Sequence, residues 1–403
     1  MNKQKKKIRS QTIIYVNFAP YENTGRILDY ILDRYENVVQ FSFNFHKLGK
    51  KQDKSKLITY HNGKVTKINF LRQVDVPATM IFLFLPIRSA LIFLQIFYHT
   101  LRLKHIYKEY NIYFTVNAYT ASIGMLLKAI GLVDKTVFWV WDYYPPFHAN
   151  KIIVFMRWLY WQFDKLCTRS DGVVFLNNRL QKLRINAGLL PKTANFPIVP
   201  MGTHLAKRST TKDINHPSLV FLGVIKESQG LDLLFRSLPV LVKKFPGLRV
   251  SIIGSGPQEE EYRQIVQLHD FPVTFHGYIQ FRFSDKKPTK METLLRSSTI
   301  GIAPYVPEKS NVSYFGDPSK IKAFLSFGIP VITTNVFEFS KEISKEKAGI
   351  VMKEYSINSF IASVELCISK HQEMSKNAYL LAKKYNYKNI YSKLFTFTHD
   401  SLV

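Results

Sequence analysis

Short apolar runs alternate with amphipathic stretches along the whole chain. In the first half, runs rich in β-branched and aromatic residues alternate with stretches whose apolar positions follow helical spacing. This alternation is typical of parallel sheets covered by helices on both faces. The predicted strands are Thr12–Phe18, Val38–Phe43, Ile112–Val116, Thr136–Val140 and Gly172–Leu176, and the helices between them include Gly25–Tyr35, Ala118–Ile130 and Ile152–Thr168.

The second half repeats the pattern with the runs "SLVFL", "LRVSIIG", "VTFHG", "TIGIAP" and "IPVITT". A polar segment rich in Ser and Thr, "MGTHLAKRSTTKDINHPS", separates the halves and is the predicted linker. At 403 residues the chain has room for two domains. The fold class is therefore predicted to be α/β, with two Rossmann-like doubly wound domains that face each other across a cleft.

One stretch, "VPATMIFLFLPIRSALIFLQIFYHTLRL" (Val76–Leu103), is unusually apolar. Its two uncharged runs, on either side of Arg88, are each shorter than the roughly 20 residues that a spanning helix needs. The favoured interpretation is a pair of interfacial helices, with Arg88, Arg102 and Lys104 close to lipid phosphates. A pair of core helices and a true membrane span are the alternatives.

The N-terminus and the cysteines indicate the cellular compartment of the protein. The stretch "MNKQKKKIRSQTIIYVNFAP" is a basic head with a short apolar run that Asn17 and Pro20 interrupt, so we interpret it as a solvated tail and a first strand instead of a signal peptide. The only two cysteines, Cys167 and Cys367, lie far apart in helical-looking stretches. They indicate reduced, buried thiols of a cytosolic protein, not a disulfide framework or a zinc site.

The chain is strongly basic, with 56 Lys and Arg against 29 Asp and Glu and a net charge of +27. Of these, 29 basic and 11 acidic residues precede residue 206, so the first half carries +18 and the second +9. A positive electrostatic potential of this kind favours anionic partners such as phospholipid, phosphorylated substrates or nucleic acid. The alternative is that the excess of lysine reflects the general composition of a lysine-rich proteome. Because no recognition motif accompanies the charge, nucleic acid is not expected as a partner.

The run "SLVFLGVIKESQGLDLLFRSLPVL" is predicted to be a strand, a glycine turn and an amphipathic helix. Gly223 permits a tight turn, and Gly230 lets a ligand approach the start of the helix. Lys226 lies in the loop between them, beyond the carboxyl end of the strand, where open α/β sheets bind ligands. An ordinary connection with a solvated lysine is the alternative.

The run "IIGSGPQEEEY" resembles a dinucleotide-binding turn, but Glu259 occupies the place of the third glycine. Pro257 suits a first helical position, and the acids Glu259, Glu260 and Glu261 complement the helix dipole. The same acids would repel a diphosphate. We therefore expect this loop to be structural, or to line a neutral base.

The run "DPSKIKAFLSFGIPVITT" contains a short helix followed by a buried strand. Asp317 is predicted to be its N-cap and Pro318 its first residue, and Gly328 is predicted to end it. Ser319 and Lys320 then lie in the first turn, where free backbone N–H groups, a hydroxyl and an ammonium would form an anion site. A capped surface helix is the alternative.

These segments resemble the donor domain of the family 4 glycosyltransferases, retaining enzymes with the two-domain GT-B fold. The matching pieces are "FLGVIKESQGLDLL", "VSIIGSGPQEEEY", "VTFHGYI", "TIGIAPY" and "DPSKIKAFLSFGIPVITT", in the order and at the spacing of that family, with weaker matches at "FWVWDYYPP" and "NFPIVPMGTHL". The resemblance implies an N-terminal acceptor-binding domain (1–205), a nucleotide-sugar donor domain (206–375) and a C-terminal helix (376–403) that packs back towards the N-terminal domain.

The resemblance also implies roles for individual residues. Lys226 and Lys320 would act in catalysis by clamping the donor diphosphate, and the donor would be bound by Gly223, Gly230, Gly277 and Ser319. No D-x-D triplet occurs, so a metal held by paired aspartates is not indicated. No cofactor is expected besides the nucleotide-sugar, which is a co-substrate.

The chain departs from the family pattern at four positions. The family usually has an arginine and a lysine where this chain has Val224 and Gln229, which leaves Lys226 as the nearest cation. The family also has two glutamates, which grip the donor sugar and the ribose, where this chain has Phe315 and Ala323. A substitute clamp of Lys226, Ser319 and Lys320 would have to replace these groups.

Three residues of the first half are candidates for the acceptor side. Asp142 follows a predicted strand in "VFWVWDYYPPFH", where it would face the cleft and orient a sugar hydroxyl or the acceptor as a catalytic residue. His148 of the same run and Gly25 of "YENTGRI" are candidates for acceptor binding. Each has a structural alternative, because a carboxylate before two prolines often only fixes a turn.

The leading hypothesis is a glycosyltransferase of polysaccharide or glycolipid biosynthesis that is retaining and metal-independent. It would move a sugar from a nucleotide-sugar to a lipid-linked or glycan acceptor, as a cytoplasmic protein bound peripherally to the anionic inner face of the cell membrane. An inactive GT-B scaffold or partner subunit at the membrane is the first alternative. A nucleotide-sugar epimerase is the second.

Overall fold

The computed structural model describes residues 11–19, 25–44, 54–74, 80, 83–192, 196–206, 212–279, 287–308 and 311–398. The chain divides into two compact units. Unit 1 comprises Met1–Pro200 and Ile390–Val403, and unit 2 comprises Met201–Asn389. The division at residue 200 lies close to the linker expected from composition.

Unit 1 is built on a seven-stranded sheet with the order β4-β3-β2-β1-β5-β6-β7. β2, β1, β5, β6 and β7 run parallel, and β3 and β4 are antiparallel additions at one edge. The five parallel strands coincide with the predicted ones. The strands are β1 Thr12–Ala19, β2 Asn37–Asn44, β3 Lys56–His61, β4 Lys64–Phe70, β5 Ile112–Thr115, β6 Lys135–Val140 and β7 Gly172–Phe175.

The β3–β4 hairpin was not predicted from the sequence. Its turn is the dipeptide Asn62-Gly63, and both residues have positive φ angles of 50° and 75°. Such a two-residue turn matches the right-handed twist of paired strands. All but one residue of β4 are exposed, so the hairpin has little of the apolar alternation that marks a strand in sequence.

Within the described residues, five α-helices accompany this sheet, and three of them, α1, α3 and α4, agree with the predicted helices. Asn117, Asn150 and Asn177 cap three of them by accepting a backbone N–H with the side-chain oxygen. The helices are α1 Ile27–Arg34, α2 Leu85–Leu103, α3 Ala118–Ala129, α4 Lys151–Cys167 and α5 Asn178–Asn186, and a 3₁₀ segment, Tyr391–Thr398, returns to this unit.

The apolar stretch Val76–Leu103 differs from the expected pair of helices. Its described part is one continuous helix, α2, with Pro86 in the first turn, where a missing N–H costs nothing. Arg88 is buried, so it does not meet lipid phosphates as expected. Residues 76–79, 81 and 82 lie outside the described residues.

α2 has two different faces. Ile92, Ile96 and Leu103 are buried in the core of unit 1. Leu94 and Tyr98, on the other face, are each 57% exposed. Within the described part of the chain, no helix is long and apolar enough to cross a membrane. α2 is thus a core helix on one side and an exposed apolar surface on the other.

Unit 2 contains a six-stranded sheet of the order β10-β9-β8-β11-β12-β13, and every pair of neighbouring strands is parallel. The strand order reverses between β8 and β11, which makes their carboxyl ends the topological switch point. The strands are β8 Ser218–Leu222, β9 Arg249–Ile253, β10 Val273–Phe275, β11 Ile300–Ala303, β12 Val331–Thr334 and β13 Gly349–Met352.

Helices cover the sheet of unit 2 and extend its core. One large cluster joins buried residues of β8, β9 and β11 to those of two helices, α6 and α11. The helices are α6 Leu231–Lys244, α7 Glu259–His269, α8 Lys290–Ser297, α9 Ser319–Ser326, α10 Ser340–Lys345, α11 Ile357–Ser369, α12 His371–Lys384 and α13 Tyr387–Ile390. The two parallel sheets confirm the prediction of two doubly wound domains.

The C-terminal boundary differs from the expected one. The segment from residue 376 was expected to pack back towards the N-terminal domain. Instead α12 packs against α9, and the chain belongs to unit 2 as far as Asn389. The return to unit 1 begins at Ile390, and Tyr391 donates a hydrogen bond to the carbonyl oxygen of Gly25 at 2.8 Å.

The two faces of α2 predict different costs of truncation. We expect Ile96→Ala to lower the free energy of unfolding of unit 1 by about 2–5 kcal/mol, because it opens a cavity in the core. Leu94→Ala should change it by no more than about 0.5 kcal/mol, because this side chain already meets solvent. All four tryptophans lie between Trp139 and Trp161 in unit 1, so tryptophan fluorescence in urea reports this unit. Equal losses for the two variants would contradict the one-sided packing of α2.

Candidate active site

The loop after β8 lies at the switch point of unit 2 and is closely packed. The N–H of Gly223 donates to the carbonyl oxygen of Ile253 at 2.9 Å. Gly230 begins α6 with φ at +71°, in the left-handed region that glycine tolerates. A Cβ atom at Gly230 would lie 1.9 Å from the carbonyl oxygen of Pro304 and 2.6 Å from the hydroxyl oxygen of Tyr355. Gly230 is therefore required where the loops after β8 and β11 meet.

Lys320 brings a positive charge to this loop. It lies in the first turn of α9, and a Cβ atom built on Gly223 would be only 2.5 Å from its Nζ. Its ammonium donates to Oε1 of the buried Gln229 at 3.4 Å. Burial, together with the charge of Lys226, lowers the pKa of Lys320 to about 8. Lys320 is thus a cation at neutral pH that loses its charge at mildly alkaline pH.

Hydrogen-bond donors surround the Lys320 ammonium. The backbone N–H groups of Lys320 and Ile321, in the first turn of α9, have no backbone partner among the described residues. The hydroxyl of Ser319 has none among them either, and Lys226 is exposed and forms no ion pair there. Free N–H groups at a helix N-terminus, a hydroxyl and two ammonium groups form a site for an anion.

Asp317 is not the N-cap that the sequence suggested. The N-cap of α9 is Pro318, and no side chain caps the helix. The Oδ2 atom of Asp317 instead accepts from the ammonium of Lys322 and from the backbone N–H of Met201, each at 2.5 Å. Burial raises the pKa of Asp317, against the opposing effect of the Lys322 charge. Asp317 therefore fixes the start of α9 through a buried ion pair.

Lys322 is enclosed on every side. Its side chain is 1% exposed, its ammonium donates to the carbonyl oxygen of Met201 at 3.0 Å, and it lies over the rings of Phe339 and Tyr385 at 4.9 and 4.4 Å. The carboxylate, the carbonyl and the two aromatic faces together replace its hydration shell. The burial of Lys322 was not predicted from the sequence, because a lysine in a short helix is normally exposed to solvent.

The structure shows what surrounds three of the positions at which the chain departs from the family pattern. Ala323 is buried within α9, and Phe315 packs its ring against Tyr314 at 5.1 Å. Gln229 stands where the family has a lysine. Its side-chain oxygen accepts a hydrogen bond from Lys320 and so helps to position that ammonium group. Nothing in the sequence revealed this contact, because the two residues are 91 positions apart.

The loop after β9 is structural. Cβ atoms on Gly254 and Gly256 would lie 1.8 Å and 2.2 Å from the carbonyl oxygens of Gly223 and Ile225, so these glycines let the two loops pack together. The N–H of Gly254 also donates to the carbonyl oxygen of Gly277 at 2.8 Å. α7 begins at Glu259 with Gln258 as its N-cap, so Pro257 precedes the helix instead of beginning it. Gly277 has φ at +67° with no atom within 4 Å of an added Cβ, and its proposed contact with the donor stays a prediction.

Asp142 follows β6 in unit 1, beside a second buried ion pair. Its backbone carbonyl accepts from Arg184 at 3.4 Å, and Arg184 forms the buried pair with Asp164. The hydroxyl of Tyr144 donates to Oδ2 of Asp142 at 3.3 Å. Burial raises the pKa of Asp142, while the bond from Tyr144 opposes this shift. Such a carboxyl group at the carboxyl edge of a parallel sheet is suited to accept a hydrogen bond from a hydroxyl.

His148 and Gly25 have structural contacts of their own. Nδ1 of the exposed His148 accepts from the backbone N–H of Asn150 at 2.9 Å, next to the N-cap of α4. Gly25 has φ at +69° immediately before α1. Both observations fit the structural alternatives, and the acceptor roles of these two residues stay predictions.

The buried pair of Asp317 and Lys322 predicts an asymmetry between neighbouring lysines. We expect Lys322→Met to lower the free energy of unfolding of unit 2 by about 3–5 kcal/mol, because it leaves a buried carboxylate without its cation. Lys320→Met removes a buried cation that has no acid partner and should cost far less. Urea unfolding followed by far-UV circular dichroism measures both, with tryptophan fluorescence as the internal reference for unit 1. Equal losses would show that the pair does not hold α9.

Comparison with known proteins identifies the second half of the chain. Residues 216–370 match the family model described as glycosyl transferases group 1. A curated relative from Haemophilus influenzae, described as an uncharacterized glycosyltransferase, is 22% identical over 273 residues, which are 66% of this chain and 71% of the relative.

Solved structures match nearly the whole chain. Sucrose-phosphate synthase from Thermosynechococcus elongatus is similar over 97% of this chain and 99% of its own, with a TM-score of 0.69 and 14% identity. HepE from Anabaena, in complex with UDP-glucose, is similar over 95% and 98%, with a TM-score of 0.63 and 14% identity. At these identities the likeness shows the fold alone, and membership of family 4 in particular stays a prediction. The chain therefore has the GT-B fold, and its residues 216–370 are similar to the group 1 glycosyltransferases.

Proposed function

We propose that this glycosyltransferase takes its sugar from a nucleotide diphosphate sugar and transfers it to a glycan or lipid-linked acceptor. The observation that carries the proposal is the position of the Lys320 ammonium at the switch point of unit 2, beside Gly223 and in the first turn of α9. Open α/β sheets bind nucleotides at this place. The fold similarity to HepE, solved with UDP-glucose, supports the donor class.

The leaving diphosphate is stabilised by groups of the protein and not by a metal ion. As the bond to the sugar breaks, negative charge develops on the diphosphate oxygens, and preorganised donors lower the energy of that state. Lys320 supplies a buried cation, Lys226 an exposed one, and Ser319 and the first turn of α9 supply neutral donors. Together they substitute for the arginine and lysine that the family places at Val224 and Gln229.

The transfer retains the anomeric configuration, with the acceptor hydroxyl attacking from the face that the diphosphate leaves. The resemblance to the family 4 enzymes supports this stereochemistry. In unit 1, the buried carboxyl group of Asp142 orients a hydroxyl of the acceptor or the sugar. The coupling constant of the anomeric proton in the product decides the stereochemistry, and the value of the opposite anomer would refute retention.

The protein docks on an anionic membrane through unit 1, as a peripheral protein on the cytoplasmic side. Leu94, Tyr98 and Leu101 form an exposed apolar surface on α2, and Arg102 and Lys104 follow at its end. An apolar strip bordered by cations binds anionic lipids by burying its side chains while its charges meet the phosphates. The net charge of +27 attracts the chain to the same surface.

An inactive scaffold is the second candidate function. It is supported by Phe315 and Ala323, which cannot replace the two glutamates of the family. The two candidates differ in one respect that a binding experiment detects, because a scaffold needs no affinity for a nucleotide diphosphate.

The first prediction concerns donor binding. In calorimetric titrations with UDP and GDP, we expect the wild type to bind one of them and the variant Lys226→Ala, Lys320→Ala to bind it at least about a hundredfold more weakly. The reason is that each charge-assisted contact contributes about 1.5–3 kcal/mol. The matched control is Lys243→Ala, Lys345→Ala, which removes two exposed lysines of unit 2 outside the site and should bind as the wild type does.

The same titration repeated between pH 7 and pH 9.5 tests the role of Lys320. Its ammonium form predominates below about pH 8, so affinity should be full at pH 7 and fall as pH rises through this value. A bound diphosphate favours the charged form and raises the pKa of Lys320 in the complex, so the fall begins at about pH 8 and continues up to that higher pKa. If folded wild type binds neither nucleotide, the donor site is refuted and the scaffold becomes the better account.

The second prediction concerns the membrane. We expect Leu94→Ser, Leu101→Ser to reduce sedimentation with phosphatidylglycerol vesicles by about tenfold or more, because two leucines no longer enter the lipid. The control is Val240→Ser, Leu268→Ser, which changes two exposed apolar residues of unit 2. Undiminished sedimentation of the α2 variant would contradict docking through this helix.

A further inference from the structure

A cationic cleft lies at the amino end of the sheet of unit 1. Its volume is about 950 Å³, which falls in the range of small-molecule sites. Thr12 and Asn37, the first residues of β1 and β2, and Asn111, which precedes β5, line it. The candidate acceptor residue Asp142 follows the carboxyl end of β6, so the cleft lies at the opposite edge of the same sheet.

Two walls form the cleft. The first is one face of the β3–β4 hairpin, which carries Thr59, Lys67 and Asn69. The second is the last turn of α2 and the segment 104–111 that leads into β5. The hairpin was the part of unit 1 that the sequence did not predict, and the cleft exists because it extends the sheet beyond α2.

The second wall is anchored at the end that leads into β5. The hydroxyl of the buried Tyr110 donates to the carbonyl oxygen of Thr100 in α2 at 3.0 Å. The side-chain oxygen of Asn111 accepts from the N–H of Thr12 at 2.9 Å, and its amide donates to Asp134 at 3.2 Å. These bonds hold the basic residues between α2 and β5 in place against the sheet.

The cleft concentrates positive charge. Cations reach it from both walls, Lys67 from the hairpin and Arg102 and Lys108 from the second wall. Among the described residues none of the three forms an ion pair, and Glu109 is the one acid of the lining. Three imidazoles also line the cleft, those of His61, His99 and His105. Burial and the charge of Arg102 lower the pKa of His99.

We propose that this cleft binds a phosphate-bearing anion between Lys67 on the hairpin and Arg102 and Lys108 on the second wall. The four charged side chains sum to a net charge of two, which matches a phosphate monoester of about −1.5 to −2 at neutral pH. A tetrahedral phosphate accepts hydrogen bonds from two opposite walls at once, and the arginine binds two of its oxygens. The side-chain amide of Asn69 supplies a neutral hydrogen bond.

The phosphate can belong to a soluble molecule or to a lipid head group. The cleft begins where α2 ends, since His99, Arg102 and Leu103 line it while Leu94, Tyr98 and Leu101 on the same helix face solvent. A head group in the cleft would leave its acyl chains close to this apolar surface. The experiment therefore has one arm for each source.

The soluble arm uses calorimetric titration of the full chain with inorganic phosphate and with sn-glycerol 3-phosphate. We expect Lys67→Ala, Lys108→Ala to bind the better of the two probes at least about tenfold more weakly, because a cation is lost from each wall. The control is Lys64→Ala, Lys151→Ala, which removes two exposed cations of unit 1 that do not line the cleft, and it should bind as the wild type does.

The donor site also attracts phosphate, so the titration is repeated in Lys226→Ala, Lys320→Ala protein. Binding that survives there but not in the cleft variant supports the proposal, whether or not UDP binds to unit 2. Binding lost in the donor variant and unchanged in a folded cleft variant overturns it.

The lipid arm uses sedimentation with vesicles of phosphatidylcholine alone and with phosphatidylglycerol added. A gain from phosphatidylglycerol that the cleft variant lacks, without affinity for either soluble probe, assigns the phosphate to a lipid head group. Affinity for a soluble probe assigns it to a free phosphate ester. If the cleft variant matches both the wild type and the Lys64→Ala, Lys151→Ala control in both arms, the cleft is not a phosphate site.

Discussion

The candidate donor site depends on one buried ion pair, that of Asp317 and Lys322. Taking two charges out of water costs several kcal/mol for each ion, and the cost is recovered only where other polar groups complete the site. Here the backbone N–H and the carbonyl oxygen of Met201 complete it, at 2.5 and 3.0 Å, and two aromatic rings close over the ammonium. The pair thereby ties the first residue of unit 2 to the start of α9. The direction in which Ser319 and Lys320 project follows from this tie.

A half-buried lysine, Lys320, lies close to this pair, in the same helix as Lys322. Lys320 has no carboxylate partner among the described residues, and its pKa falls to about 8 because burial disfavours its charge. Asp317 and Lys322 hold the start of the helix that carries this group. An anionic ligand at Lys320 would recover the energy that burial costs. The diphosphate of the donor would supply this anion to the site.

The sequence predicted what local pattern determines and missed what distant contacts determine. The parallel strands except β13 were predicted within about two residues, because buried strands are continuous apolar runs. The β3–β4 hairpin was missed because β4 is almost wholly exposed and has no apolar face. Asp317 was taken as an N-cap because its position before Ser319 fits that role, whereas its true partners are Lys322, five residues on, and Met201, which is 116 residues away. Gln229 was taken as a lost cation for the same reason.

The two ends of the sheet of unit 1 have separate tasks. A strand such as β1, with eight residues, extends over about 26 Å at about 3.3 Å per residue. A phosphate in the cleft at the amino end is therefore too far from the carboxyl group of Asp142 to take part in the transfer of a sugar. Its role is to hold the enzyme to something that carries phosphate, while the opposite edge of the sheet remains open to the acceptor.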